Sequence, residues 1–159
     1  MKRLRIVPLA MLGLVVGLAA VVPGAASAQQ QEPEETLPAC GIRYPGGFDP
    51  NTVGVTLGSV SGVDRPERGP VSLRLESGGE LYTVLAAPAW YWGELGLVVA
   101  VGDRVRVKGS KSMGADGRLY LVAQEIGVAG SDRTFVLRDP RGKPAWSGCG
   151  PGGCDRRGR

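Results

Sequence analysis

The sequence predicts a mainly β fold: a small barrel of five to six strands with one short helix between strands three and four. Three observations predict it. Glycine and proline are dense after residue 28, with 23 of the 26 glycines and 10 of the 12 prolines there, which disfavours long helices and suits short strands joined by turns. Between about residues 53 and 138 apolar residues alternate with polar ones in short runs separated by turn signals. That alternation breaks once, after Pro88, where a cluster of large side chains replaces it.

The first predicted strand holds Val53, Val55 and Leu57 alternating with Gly54 and Thr56. Its phase slips near Gly58-Ser59 before Val60 and Val63, as a bulge requires, and a bulge lets a long strand bend around a barrel. After the loop at residues 65–70, Val71, Leu73 and Leu75 alternate with Ser72, Arg74 and Glu76 in a half-buried second strand. Ser77-Gly-Gly-Glu80 fits a hairpin turn into a third strand, Leu81–Leu85. Pro88-Ala-Trp-Tyr-Trp-Gly-Glu-Leu-Gly-Leu97 predicts a helix of one to two turns, since proline is tolerated in a first turn and two glycines keep it short. Gly102-Asp103 turns into a fourth strand in which Val105 and Val107 alternate with Arg104, Arg106 and Lys108. The polar loop at residues 109–117 leads to the return strand Leu119–Ile126, and Thr134–Leu137 offers a last short one.

Around this unit, residues 53–146, lie three other regions. Met1-Lys-Arg-Leu-Arg5, an apolar run to about Val22 and the small-residue exit Ala26-Ser27-Ala28 predict a cleavable signal peptide over residues 1–28, hence a periplasmic or secreted protein. Its removal takes away three basic residues and no acid, leaving 16 basic against 15 acidic residues, so the mature chain is nearly neutral. No later stretch is apolar enough to span a membrane. Residues 29–52 read as a disordered leader followed by an irregular arm. Residues 147–159 form a Gly- and Arg-rich tail with two cysteines.

Three strands, a short helical connection and a two-stranded hairpin is the order of an OB-fold barrel. The segments Val101-Gly-Asp-Arg-Val-Arg-Val-Lys-Gly109 and Gly117-Arg-Leu-Tyr-Leu-Val-Ala-Gln-Glu-Ile126 carry this OB-like reading, with the bending first strand and the stretch from Leu137 to Trp146 in support. Over residues 53–146 the chain resembles exported bacterial OB-fold proteins of poorly defined function. The resemblance implies a binding module for small molecules, proteins or envelope components. One periplasmic OB-fold type carries haem through a histidine; this chain has no histidine, so that role does not carry over. A small SH3-like barrel is the competing fold, and the aromatic helical insert favours the OB reading.

Chemistry follows from what is present and what is missing. Without histidine there is no His-dependent triad, His-ligated haem or usual zinc site, and neither a catalytic residue, a metal site nor a cofactor is expected. Cys149 and Cys154 could close a local disulfide loop through their intervening glycines, and Cys40 could instead staple the arm to the tail. Arg104, Arg106 and Lys108 share one strand face and form a basic stripe if the valines between them fill the barrel. Tyr82 and Tyr120 are expected to face outward beside it. Trp90 and Trp92 are second-rank contact candidates within a cluster that mostly fills the barrel end, because adjacent helical residues point about 100° apart. Trp146 is expected to cap one end, and Asp103, Asp116 and Asp139 to hold turns. The reading is an exported non-catalytic binding module for an envelope protein or small ligand, with single-stranded nucleic acid as the alternative.

Overall fold

The computed structural model describes residues 34–149. A two-residue pair, β1 (Glu35–Thr36) and β2 (Arg43–Tyr44), opens the arm, and a 3-10 turn at Pro50–Thr52 closes it. The end of the expected disordered leader is thus already paired with the arm. The barrel follows as β3 (Val53–Asp64), β4 (Pro70–Ser77), β5 (Glu80–Pro88), helix α1 (Ala89–Leu95), β6 (Arg104–Met113), β7 (Leu119–Val128) and a short β8 (Thr134–Val136). The strands run in the order β5-β4-β3-β6-β7-β8, and a parallel β5–β7 pairing closes five of them into a barrel. This is the OB-like barrel expected, with its helix directly after the third barrel strand. Among the described residues no helix is long and apolar enough to cross a membrane.

Two features of β3 make the closure possible. Its first half pairs with β6, from Val53 opposite Ser110 to Ser59 opposite Arg104, and its second half pairs with β4. The bulge that bends it falls between Val60 and Gly62, slightly later than the sequence pattern indicates. In its first half the apolar members of the alternation face solvent: Val55 and Leu57 are 48% and 64% exposed, whereas Thr56 is buried. Gly58 is required by packing, because a Cβ there would lie 2.3 Å from the Glu76 carbonyl oxygen. The expected hairpin at Gly78-Gly79 is present, both glycines having positive φ.

The interior is filled by Leu73, Leu75, Val84, Val107, Leu121 and Ile126, all fully buried. Trp92 of α1 and Trp146 plug one end; Trp92 is therefore a core residue, and its role as a contact candidate is corrected. Trp90 and Tyr91 are half-buried and meet edge-on, with Tyr91 leaning on Trp146 at 5.5 Å between ring centroids.

The parallel β5–β7 ladder runs from Tyr82 opposite Leu119 to Leu85 opposite Val122 and then stops. Beyond it, Arg138 takes over: its Nη1 donates to the carbonyl oxygens of Ala86 at 3.2 Å and Ala123 at 2.6 Å, joining the two strands where their ladder ends. Nη2 reaches the Pro45 carbonyl of the arm at 3.5 Å. The guanidinium lies 4.9 Å from the Trp146 ring and 5.7 Å from the Tyr44 ring, and the two rings are stacked on each other. Burial pulls Arg138 down to about 10, opposed by its interaction with Tyr44, so it remains a cation at neutral pH. Arg138→Ala leaves two buried carbonyls without their donor and opens a void; it is expected to cost about 3 kcal/mol in urea denaturation, with Arg138→Lys falling between it and wild type. A loss within about 0.5 kcal/mol for the alanine variant would mean that the seam closes without the guanidinium.

Candidate functional site

Strand pairing sorts the outer surface into rows. Residues directly opposite on neighbouring strands project from the same face. One row reads Val55, Lys108, Glu125 and Val136; the next reads Leu57, Arg106, Gly127 and Thr134. Ser59 opposite Arg104 begins a third. The basic stripe predicted on β6 is therefore real as geometry, since Val105 and Val107 are buried between three outward cations.

The three cations are not equivalent. Lys108 Nζ lies 3.0 Å from Glu125 Oε1 across the strands, with both side chains partly covered. Arg104 and Arg106 are exposed and have no carboxylate within salt-bridge distance among the described residues. They line an open groove of about 460 Å³ together with Leu57, Gly127, Thr134 and the loop at residues 131–133, which contributes the acid Asp132 and a third cation, Arg133. Arg133 in that loop lies 5.0 Å from the Phe135 ring. The sequence reading missed Arg133 and Gly127, since neither lies on the stripe strand and only the β6–β7–β8 register brings them to it.

The two tyrosines are not beside the stripe. Tyr82 pairs with Leu75 on the inward face, where the barrel interior buries its ring and its hydroxyl donates to the Glu80 carboxylate. Lys111 Nζ lies 5.5 Å from that ring. Tyr120 belongs to a second buried cluster with Cys40, Ile42, Leu85 and Val122. The arm covers that cluster, anchored by the Asp49 backbone N–H and the Thr52 hydroxyl on Ser110 Oγ. Both tyrosines are thus corrected from exposed contacts to buried ones. Cys40 is a free buried thiol, so the staple from arm to tail is not formed. Cys154 lies outside the described residues, and with it the expected pairing with Cys149.

Local hydrogen bonds explain why the loops hold their shape. Asp103 accepts from the Ala100 N–H, Asp139 from the N–H groups of Arg141 and Lys143, and Asp116 from the Arg118 N–H. These are the turn roles their positions indicate.

Strand order, parallel closure and the helix after the third barrel strand define a small OB-like barrel with a cationic groove on its outer face. The model of the MamS/MamX magnetosome protein family matches residues 54–133, and the chain belongs to that family. A comparison with curated proteins finds no match. The matched segment spans β3 to the loop before β8, and so includes Leu57, Arg104, Arg106, Gly127 and Arg133.

Tyr120 gives this region a measurable signature. Burial first, and then its hydrogen bond to Asp116 at 2.8 Å, push its hydroxyl up to about 12. A folded pKa above the ordinary tyrosine value of 10.0 stabilises the fold fully below that pH, and the contribution is lost as pH rises towards 12. Tyrosinate absorbance, compared with Tyr120→Phe, is expected to assign the late-titrating group to Tyr120. Asp116→Ala should lower its midpoint without returning it to the ordinary value. A Tyr120 midpoint near 10 in the folded protein would contradict its coverage by the arm.

Proposed function

We propose that this chain is an exported, non-catalytic binding module that holds a protein partner against the outer face of β3, β6 and β7. The observation that carries the reading is the pair of exposed arginines, Arg104 and Arg106, facing an open groove while the neighbouring Lys108 is already paired. Exposed Val55, Leu57 and Val136 flank them, so the face offers charge for orientation and apolar area for contact. We read its compartment as periplasmic or secreted, reached through the signal peptide and a mature start at Gln29; the family name adds an association with magnetosomes. A binding role also suits a chain without histidine, in which general acid–base work has no obvious carrier.

The single-strand nucleic-acid alternative needs aromatic rings beside the cations for bases to stack on. Tyr82 lies inside the barrel and Tyr120 under the arm, and no described aromatic residue stands on the open rows. The open rows therefore give bases nothing to stack on.

The test is a photo-crosslinking residue placed at Leu57 in the native host, with Glu67, in the loop between β3 and β4, as the control position. A defined protein adduct is expected from position 57 alone, and it should disappear when Arg104 and Arg106 are both changed to Glu. No adduct at 57, or one indifferent to the arginines, overturns the reading.

A further inference from the structure

Gly127 is the next-to-last residue of β7, between Arg106 of β6 and Thr134 of β8, where a strand glycine costs packing and backbone entropy, and nothing in the fold requires it. Its φ is not positive, and a Cβ there would meet nothing closer than the Thr134 hydroxyl oxygen at 3.7 Å, an ordinary contact. Two other strand glycines are unlike it. A Cβ on Gly109 would lie 2.5 Å from the Val122 carbonyl oxygen, and one on Gly58 would strike β4. Packing explains those two; Gly54, whose Cβ would touch only the flexible Lys111 side chain at 3.4 Å, and Gly127 are without such a reason, and of that pair only Gly127 stands opposite a cation.

The rows supply the explanation. On one row Lys108 stands opposite Glu125 and takes its carboxylate at 3.0 Å. On the next row Arg106 stands opposite Gly127, so the place that a carboxylate fills one row away is a notch. Arg104, Arg133 and exposed Leu57 line the same groove as that notch, against a single acid, Asp132, which makes no ion pair with the arginines among the described residues. A guanidinium presents a planar fork that matches a carboxylate, and a strand glycine is the residue that lets a ligand come close to the backbone.

We propose that the notch over Gly127 receives a Glu or Asp side chain from an extended segment of a partner protein, which pairs with Arg106 as Glu125 pairs with Lys108. The segment carries apolar residues two positions to either side of the acid, because residues spaced by two point to one face and exposed Leu57 and Val136 stand on the outer rows beside the notch. This inference rests on the outer-face reading above and makes a narrower claim about it.

The probe is a short peptide with one Glu flanked at two-residue spacing by Leu, titrated onto the full mature protein by fluorescence anisotropy. Binding is expected to weaken with salt and to fall by about tenfold or more when the peptide Glu becomes Gln. Gly127→Glu supplies the carboxylate from within the strand; it should reduce binding by a similar factor while leaving the thermal midpoint equal or higher. Gly127→Ala adds only a methyl group and should bind within about twofold of wild type. Several results would overturn the notch: no peptide binding by wild type, a Gly127→Glu protein that folds and binds as wild type does, equal binding of oligothymidine, or self-association of the chain through this face. If the peptide fails while the arginine-dependent adduct at position 57 persists, the notch falls and the binding face stands. If both fail, both fall.

Discussion

The barrel depends on a buried cation at the end of its closing seam. A parallel pair of strands has to part somewhere, and here β5 leaves for the helix while β7 continues along β6. Parting leaves the carbonyls of Ala86 and Ala123 facing the interior, where an unpaired acceptor is costly. One guanidinium nitrogen of Arg138 satisfies both. Its charge is costly to bury, as its lowered pKa records, and the carbonyl oxygens and two stacked rings offset that cost. The turn at Asp139 brings Trp146 back over the same group, so the arm, the seam and the C-terminal segment are held at one point.

That closure decides where the site can be. Up to Val122, β7 is paired on β5 and covered outside by the arm, which buries Tyr120 and Val122. Past the irregularity between Lys108 and Gly109, β7 is free of β5 and takes β8 as its neighbour, leaving Glu125 and Gly127 on an open face. The family match, residues 54–133, contains the β3, β6 and β7 residues of this open face; Thr134 and Val136 of β8, the arm and Arg138 lie outside it. Within this chain, all of the groove but Thr134 belongs to the matched segment, and the device that closes the barrel end is contributed from beyond it.

The order of strands was legible because each turn carries its own chemistry: two glycines at 78–79, Gly102-Asp103 and Asp116-Gly117. The basic stripe was legible too, because strand alternation alone sends Arg104, Arg106 and Lys108 to one side. Exposure was not. Val55 and Leu57 look like interior residues until the register with β6 puts Thr56 inside, opposite Val107, and Tyr120 looks exposed until a distant arm covers it. Arg138 escaped notice for a related reason: an arginine in a polar stretch reads as surface, and only the folded seam reveals two carbonyls waiting for a donor. Gly127 was invisible as well, since its meaning lies in what stands opposite it.

The central claim is that the open row of Arg106, Gly127 and Thr134 is where this barrel meets its partner. Backbone chemical-shift mapping during addition of the acidic peptide tests it most directly. The account predicts the largest shifts at Arg106, Gly127 and Thr134, with little change at Lys108, whose carboxylate partner is already in place. Shifts confined to the hairpin at residues 77–80 or to the arm, with the row unmoved, would contradict it.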